Sequence, residues 1–362
     1  MVVLALTMCW DAASAIASDA ARTGEFSTEV LHASDVDLLQ LTTQGSLDVG
    51  GWDTTGSLAV SRFAISYEPA PFDFQGVSRR RAETNAGLQL NGRRHLRESW
   101  TLLAGAGAYD GPTNYRSLWL DEYFHQQYAN LPPTPGFDTY RAADPGGWNL
   151  TGGLRWAYRP GSGFAQLAVS FLRDDIAPGY EIDFAGLRRG RDRLDTIALN
   201  GSFENVLSPG VRSLVEMRAV KTTERDVRLG VDASVNIAAA ERWITRLQAG
   251  ATTEDPRFDA WYLGATIEYA PRPALAWFAT VRRYADTGEI ENALLFTSAA
   301  PALHSTQFGI GVRRTGESWS WRVYAATLRA NYAPTNPSLD FFQNLYRDRD
   351  WTILQAAIAR RF

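Results

Sequence analysis

Residues 226–239, DVRLGVDASVNIAA, decide the fold. Val227, Leu229, Val231, Ala233, Val235 and Ile237 are apolar, while Arg228, Gly230, Asp232, Ser234 and Asn236 between them are polar or small. Successive side chains of a strand point to opposite faces, so this period of two means one apolar face and one polar face. The alternation lasts longer than a typical globular strand of about 5–6 residues. It matches the roughly 9–11 residues that cross a bilayer at a tilt of about 45°.

The same dyad recurs on both sides of this segment. Trp148, Leu150, Leu154, Trp156 and Tyr158 alternate with Asn149, Thr151, Gly153 and Arg155, and Ala165, Leu167, Val169 and Phe171 alternate with Gln166, Ala168 and Ser170. Trp261, Leu263, Ala265, Ile267 and Tyr269 form another such row, as do Trp319, Trp321, Val323 and Ala325. Aromatic residues close the ends of these rows, as girdles at two membrane interfaces would. Strands are expected at 57–67, 82–92, 98–109, 147–159, 163–174, 193–204, 211–222, 226–239, 243–254, 258–270, 274–286, 304–314, 318–330 and 351–362, fourteen in all. Alternate connections are short turns, at 93–97, 160–162, 205–210, 240–242, 271–273 and 314–317. The complementary set holds all the long ones, at 68–81, 110–146, 175–192, 287–303 and 331–350, although those near 223–225 and 255–257 are short. Long loops on one side and short turns on the other are the mark of an all-β, transmembrane, antiparallel up-and-down barrel. Segment 114–127 reads as a structured outer loop. Counted as a strand, together with 36–49, it would raise the total to sixteen. Residues 18–56 are expected to be an N-terminal periplasmic extension or a plug in the lumen, and 57–362 the barrel.

Composition excludes the alternatives. Of 362 residues, 45% are hydrophobic and 12% aromatic, too many for a disordered chain. No apolar run reaches the roughly 18 residues of a transmembrane helix, and Cys9 alone cannot build a disulfide framework or a Cys-ligated zinc module. Mean hydropathy is −0.24, because averaging hides the alternation. Residues 1–17 end in Ala15-Ile16-Ala17, a small-x-small pattern that reads as a signal peptide without the usual basic start.

The last segment, WTILQAAIARRF, ends at Phe362 with Ile358, Ala356 and Leu354 at alternate positions behind it. It resembles the C-terminal signature of Gram-negative outer-membrane β-barrels, apart from Arg360, where an apolar residue is usual. The resemblance is porin-like in architecture and covers roughly 57–362. It implies residence in the bacterial outer membrane, contact with outer-membrane lipid and lipopolysaccharide, and Phe362 as a signal to the barrel-assembly machinery. Fourteen strands behind an N-terminal segment is also similar in strand count to the long-chain fatty-acid transporters. The polar lumen and the missing hatch signature speak against that family.

With apolar residues facing lipid, the charged lumen set is Arg62, Arg155, Arg159, Arg212, Glu216, Arg218, Arg228, Asp232, Arg246, Glu268, Arg282 and Arg322. Its net charge of +6 contrasts with −4 for the chain and points to a passive pore or uptake channel for small hydrophilic solutes, anions among them. Pairing of these arginines with carboxylates would instead make a structural network, in a non-conducting barrel. A lipid hydrolase is a third reading. It needs a nucleophile within reach of an oriented base, and of four histidines only His304, beside Ser305, and His125 suit an outer position, whereas His32-Ala-Ser34 and His95 fall on the periplasmic side. Asp286, Glu289 and Glu291 are weak candidates for a divalent cation; a solvated acidic loop accounts for them more simply. No cofactor motif and no basic stripe for nucleic acid is present. Arginine supplies all but Lys221 of the basic residues, a pattern that genomic GC bias explains.

Overall fold

The computed structural model describes residues 23–66, 80–111, 146–183, 186–223, 226–256, 258–288, 302–333 and 348–362. The segments read as signal peptide (1–17) and as a structured outer loop (114–127) lie outside them. The chain runs through β1 (Thr23–Ala33), β2 (Val36–Val49), β3 (Trp52–Ser66), β4 (Arg80–Arg97), β5 (Trp100–Asp110), β6 (Gly146–Arg159), β7 (Gly163–Asp183) and β8 (Gly186–Ser208). It continues through β9 (Val211–Thr222), β10 (Val227–Ala240), β11 (Trp243–Glu254), β12 (Phe258–Arg272), β13 (Leu275–Asp286), β14 (Leu303–Thr315), β15 (Trp319–Tyr332) and β16 (Arg349–Arg361). Every strand pairs antiparallel with its sequence neighbours, and β1 pairs with β16, so the sheet closes into a 16-strand barrel. Closure leaves no strand edge, and in lipid only closure satisfies every backbone group of a sheet.

Sixteen strands rather than fourteen follow from β1 and β2. Residues 23–56 are therefore neither an extension nor a plug, because 23–33, 36–49 and the start of β3 are wall. Their apolar alternation is interrupted by Thr and Gly. On β2, Leu39, Leu41, Leu47 and Val49 face outward with Thr43 and Gly45 between them, which breaks the row in two. The β2–β3 turn needs positive φ at both Gly50 (61°) and Gly51 (78°), which glycine adopts without strain. The barrel is sealed where the Gly24 N–H donates to the Phe362 carbonyl and the Phe362 N–H to the Gly24 carbonyl, each at 2.9 Å. A Cβ on Gly24 would strike the Phe362 ring, so the missing side chain makes room for the terminal aromatic.

The segment 175–192, expected as a loop, is largely hairpin, since β7 reaches Asp183 and β8 starts at Gly186. Beyond the bilayer the ladder can continue without apolar alternation, so periodicity gives no sign of it.

The outer face is an apolar belt. Leu150, Leu167, Ile197, Met217, Leu229, Leu263, Phe308 and Ile310 are each more than half exposed, a cost that only lipid removes. Aromatic rings flank the belt. Trp100 stacks on Trp156 (5.9 Å) and Trp243 meets Tyr269 (4.7 Å) near the short turns, while Trp148 meets Phe171 (5.4 Å) at the other end. Leu247 faces out opposite Ala265, midway between Trp261 and Tyr269. Leu247→Arg is expected to lower stability by about 2–4 kcal/mol, and arginine at the inward-facing Ser234 by about 1 kcal/mol or less. Urea unfolding in lipid vesicles measures both.

Candidate functional site

The candidate site is the lumen, formed by the side chains that alternate with the outer belt. Residues directly opposite one another on antiparallel strands share a face, so register assigns each side chain. Arg159 lies opposite Gly163 beyond a register shift in β6, in step with the outward Ala165 and Leu167, a slip that strict alternation in the sequence does not reveal. Arg155 on β6, Arg212, Glu216 and Arg218 on β9, and Arg228 and Asp232 on β10 carry inward parity. So do Arg246, Glu268, Arg282 and Arg322 on β11, β12, β13 and β15. Arg62 does not. It lies opposite Leu39, in step with Leu58 and Val60, and faces lipid. The inward row of β3 ends in Phe63 and Ile65, which are 5% and 0% exposed. Apolar side chains on both faces of that strand erase the alternation on which the inward assignment of Arg62 rested.

Carboxylates or amides hold most of the inward arginines. Arg218 bonds Asp232 (2.7 Å), which also accepts from the Tyr262 hydroxyl (2.7 Å). Arg228 reaches Glu254 at 2.6 Å and lies over the Phe258 ring. Arg212 pairs with Glu204, and Arg246 donates to the Asn236 amide oxygen (2.7 Å). Arg313 bonds Glu268 at 2.6 Å, which matters because Arg313 stands directly opposite Arg322 and like charges so placed repel. Two arginines sit on aromatic faces and make no ion pair among the described residues. The Arg155 guanidinium lies 3.6 Å from the Phe164 ring centre, and that of Arg282 lies 4.6 Å from the Tyr262 ring centre.

The expected lumen charge of +6 falls close to balance. Glu204 and Glu254 share the inward face, as do Glu25, Glu29, Asp53 and Glu83 on strands the sequence left out or read short. Glu25 pairs with Arg361 (2.9 Å), Asp53 with Arg93 (3.1 Å) and Glu83 with Arg81 (3.1 Å), and Gln355 donates to Glu29. Arg313 was within reach of the sequence, since it continues the polar row Gln307, Gly309, Gly311.

The lumen wall is not uniformly polar. Ala33, Val36, Leu38, Phe63, Ile65, Tyr324, Ala326, Leu328 and Ile353 form one buried apolar cluster on the inner face of β1–β3 and β15–β16. It occupies the long-loop half of the barrel. At its lower border Tyr324 stacks on Phe278 (5.8 Å) and shares its hydroxyl with Thr280 (2.8 Å) and Gln307 (3.1 Å).

The hydrolytic candidates are separated. His304 and Ser305 are consecutive on β14, so they point to opposite faces, with Ser305 buried toward the lumen and His304 outside. His32 and Ser34 stand at the long-loop end rather than the periplasmic end, because β1 is part of the wall. His32 Nδ1 lies 2.6 Å from Asp37, but the Ser34 hydroxyl accepts from the Thr352 N–H. His95 meets the Thr101 hydroxyl, and His125 lies outside the described residues. No serine hydroxyl is hydrogen-bonded to a histidine among the described residues. Asp286 is taken up by Tyr284, the Gly288 N–H and the Leu303 N–H. Glu289 and Glu291 lie outside the described residues, among which no group of three His, Cys, Asp or Glu side chains could hold a metal.

No protein-family model matches this chain, and no curated protein matches it in sequence. Among solved structures it is similar to CdiB from Acinetobacter baumannii, with a TM-score of 0.56 at 10% identity over 94% of this chain and 60% of that one. It also matches the ferric enterobactin receptor PfeA of Pseudomonas aeruginosa (TM-score 0.49, 10% identity, 87% of this chain and 55% of that one). A third match is the toluene transporter TodX of Pseudomonas putida (TM-score 0.44, 9% identity, 95% and 90%). The chain thus spans 60% of the CdiB chain and 55% of the PfeA chain. At such identities the likeness is one of fold. The closed wall, the apolar belt and the aromatic girdles together make this an outer-membrane β-barrel of a Gram-negative bacterium.

Proposed function

We propose that the barrel is a passive pore for small hydrophilic solutes, with a modest preference for anions. The observation that carries this reading is the inner wall of β6–β14, lined at successive levels mainly by ion pairs and hydroxyls rather than by packed apolar side chains. Barrels of sixteen strands are wide enough to enclose an aqueous channel. The preference rests on Arg155 and Arg282, whose charges no carboxylate offsets among the described residues and which lie almost half the circumference apart. Fixed positive charge at two sides of a narrow wet passage attracts a passing anion. In this reading, residues 1–17 direct export and Phe362, exposed at the barrel seam, is the residue that the assembly machinery engages.

Swelling of protein-loaded liposomes tests the pore. Neutral monosaccharides are expected to enter and large oligosaccharides to be excluded. Exchanging both Arg155 and Arg282 for Gln should slow entry of a small organic anion about two- to threefold relative to a neutral sugar. The apolar cluster around Ile65 favours a second reading, in which that half of the lumen is packed and the barrel closed. Folded protein whose liposomes do not swell would support that alternative.

A further inference from the structure

Arg62 faces the membrane, where a charge is costly unless something neutralises it. It stands as far above the Gly50–Gly51 turn as Trp148 and Trp261 stand above theirs, to within a residue, which puts it at the outer girdle. Among the described residues it makes no hydrogen bond or ion pair. Beside it on the outer face of β1–β4 is a groove of about 730 Å³ whose walls include Val30, Leu39, Ala64, Ala82 and Arg80. Asp37 at its rim is occupied on both sides, by His32 (2.6 Å) and by Arg80 (2.9 Å). The groove therefore joins an apolar floor to a net positive rim at headgroup depth.

We propose that Arg62 and Arg80 hold a phosphate group of an outer-leaflet lipid, whose acyl chains lie along Val30, Leu39 and Val60. A guanidinium presents a planar fork of donors that matches phosphate oxygens. The apolar floor favours a lipid phosphate over a free one. The site is outside the barrel and does not depend on whether the lumen conducts.

Native mass spectrometry of the refolded full-length protein, titrated with bisphosphorylated lipid A, its dephosphorylated form or inorganic phosphate, tests the site. The phosphorylated lipid is expected to bind at least tenfold more tightly than the dephosphorylated one. Arg62→Gln should erase that difference, Arg62→Lys should keep part of it, and Arg283→Gln, an outward arginine on β13, should leave it intact. Heat-modifiable migration verifies that each variant is folded. Equal binding of the two lipids, or undiminished preference in Arg62→Gln, would overturn the proposal. Displacement of the lipid by equimolar inorganic phosphate would overturn its assignment to a lipid.

Discussion

Deleting residues 23–49 is expected to abolish the folded barrel. These residues are β1 and β2, and their loss opens the wall between β3 and β16. Each exposed edge would present a row of unpaired N–H and C=O groups to lipid, each costing several kcal/mol. A fourteen-strand closure would have to pair β3 with β16 without the contacts that now seal the barrel, among them Glu25 with Arg361 and Gln355 with Glu29. The deletion should eliminate the heat-modifiable species on mild-detergent gels. If 23–49 were instead a plug, the deleted protein would still migrate as a compact barrel and its conductance would rise.

The second large effect is expected at Arg228. Its partner Glu254 is 3% exposed, so Arg228→Ala strands a buried carboxylate in the wall. Breaking a buried pair from one side costs about 3–5 kcal/mol, most of it the penalty of the charge left behind. Arg228→Met combined with Glu254→Gln removes both charges and should recover most of that loss. Equilibrium unfolding of the two variants in lipid vesicles separates these cases, and equal stability of wild type and Arg228→Ala would mean that water reaches Glu254 freely.

The barrel was legible wherever strands kept a long apolar row. The β9 and β11 strands are read to the residue, and β10 to within one, because Leu229, Val231 and Leu247 meet lipid and their neighbours do not. The first strand was not legible, and the second, 36–49, entered only in the sixteen-strand alternative, because Thr and Gly interrupt their outer rows and lipid tolerates both. Arg62 was misassigned for the opposite reason. Phe63 and Ile65 pack inside the barrel, so apolarity on that strand no longer marks the lipid side. Part of the charge balance in the lumen depended on Glu25, Glu29 and Asp53, which lie outside the strands read from the sequence, whereas Glu83, Glu204 and Glu254 lie within them on the polar row and were overlooked. His304 and Ser305 could have been parted from sequence alone, since neighbours on a strand face opposite ways.

Conductance of the refolded full-length protein in planar bilayers tests the central claim, a water-filled sixteen-strand pore with a nearly balanced lumen. Discrete ohmic steps are expected, with a reversal potential in a salt gradient displaced slightly toward anions. Silent bilayers from protein that migrates as a folded barrel, or a clear preference for cations, would contradict it.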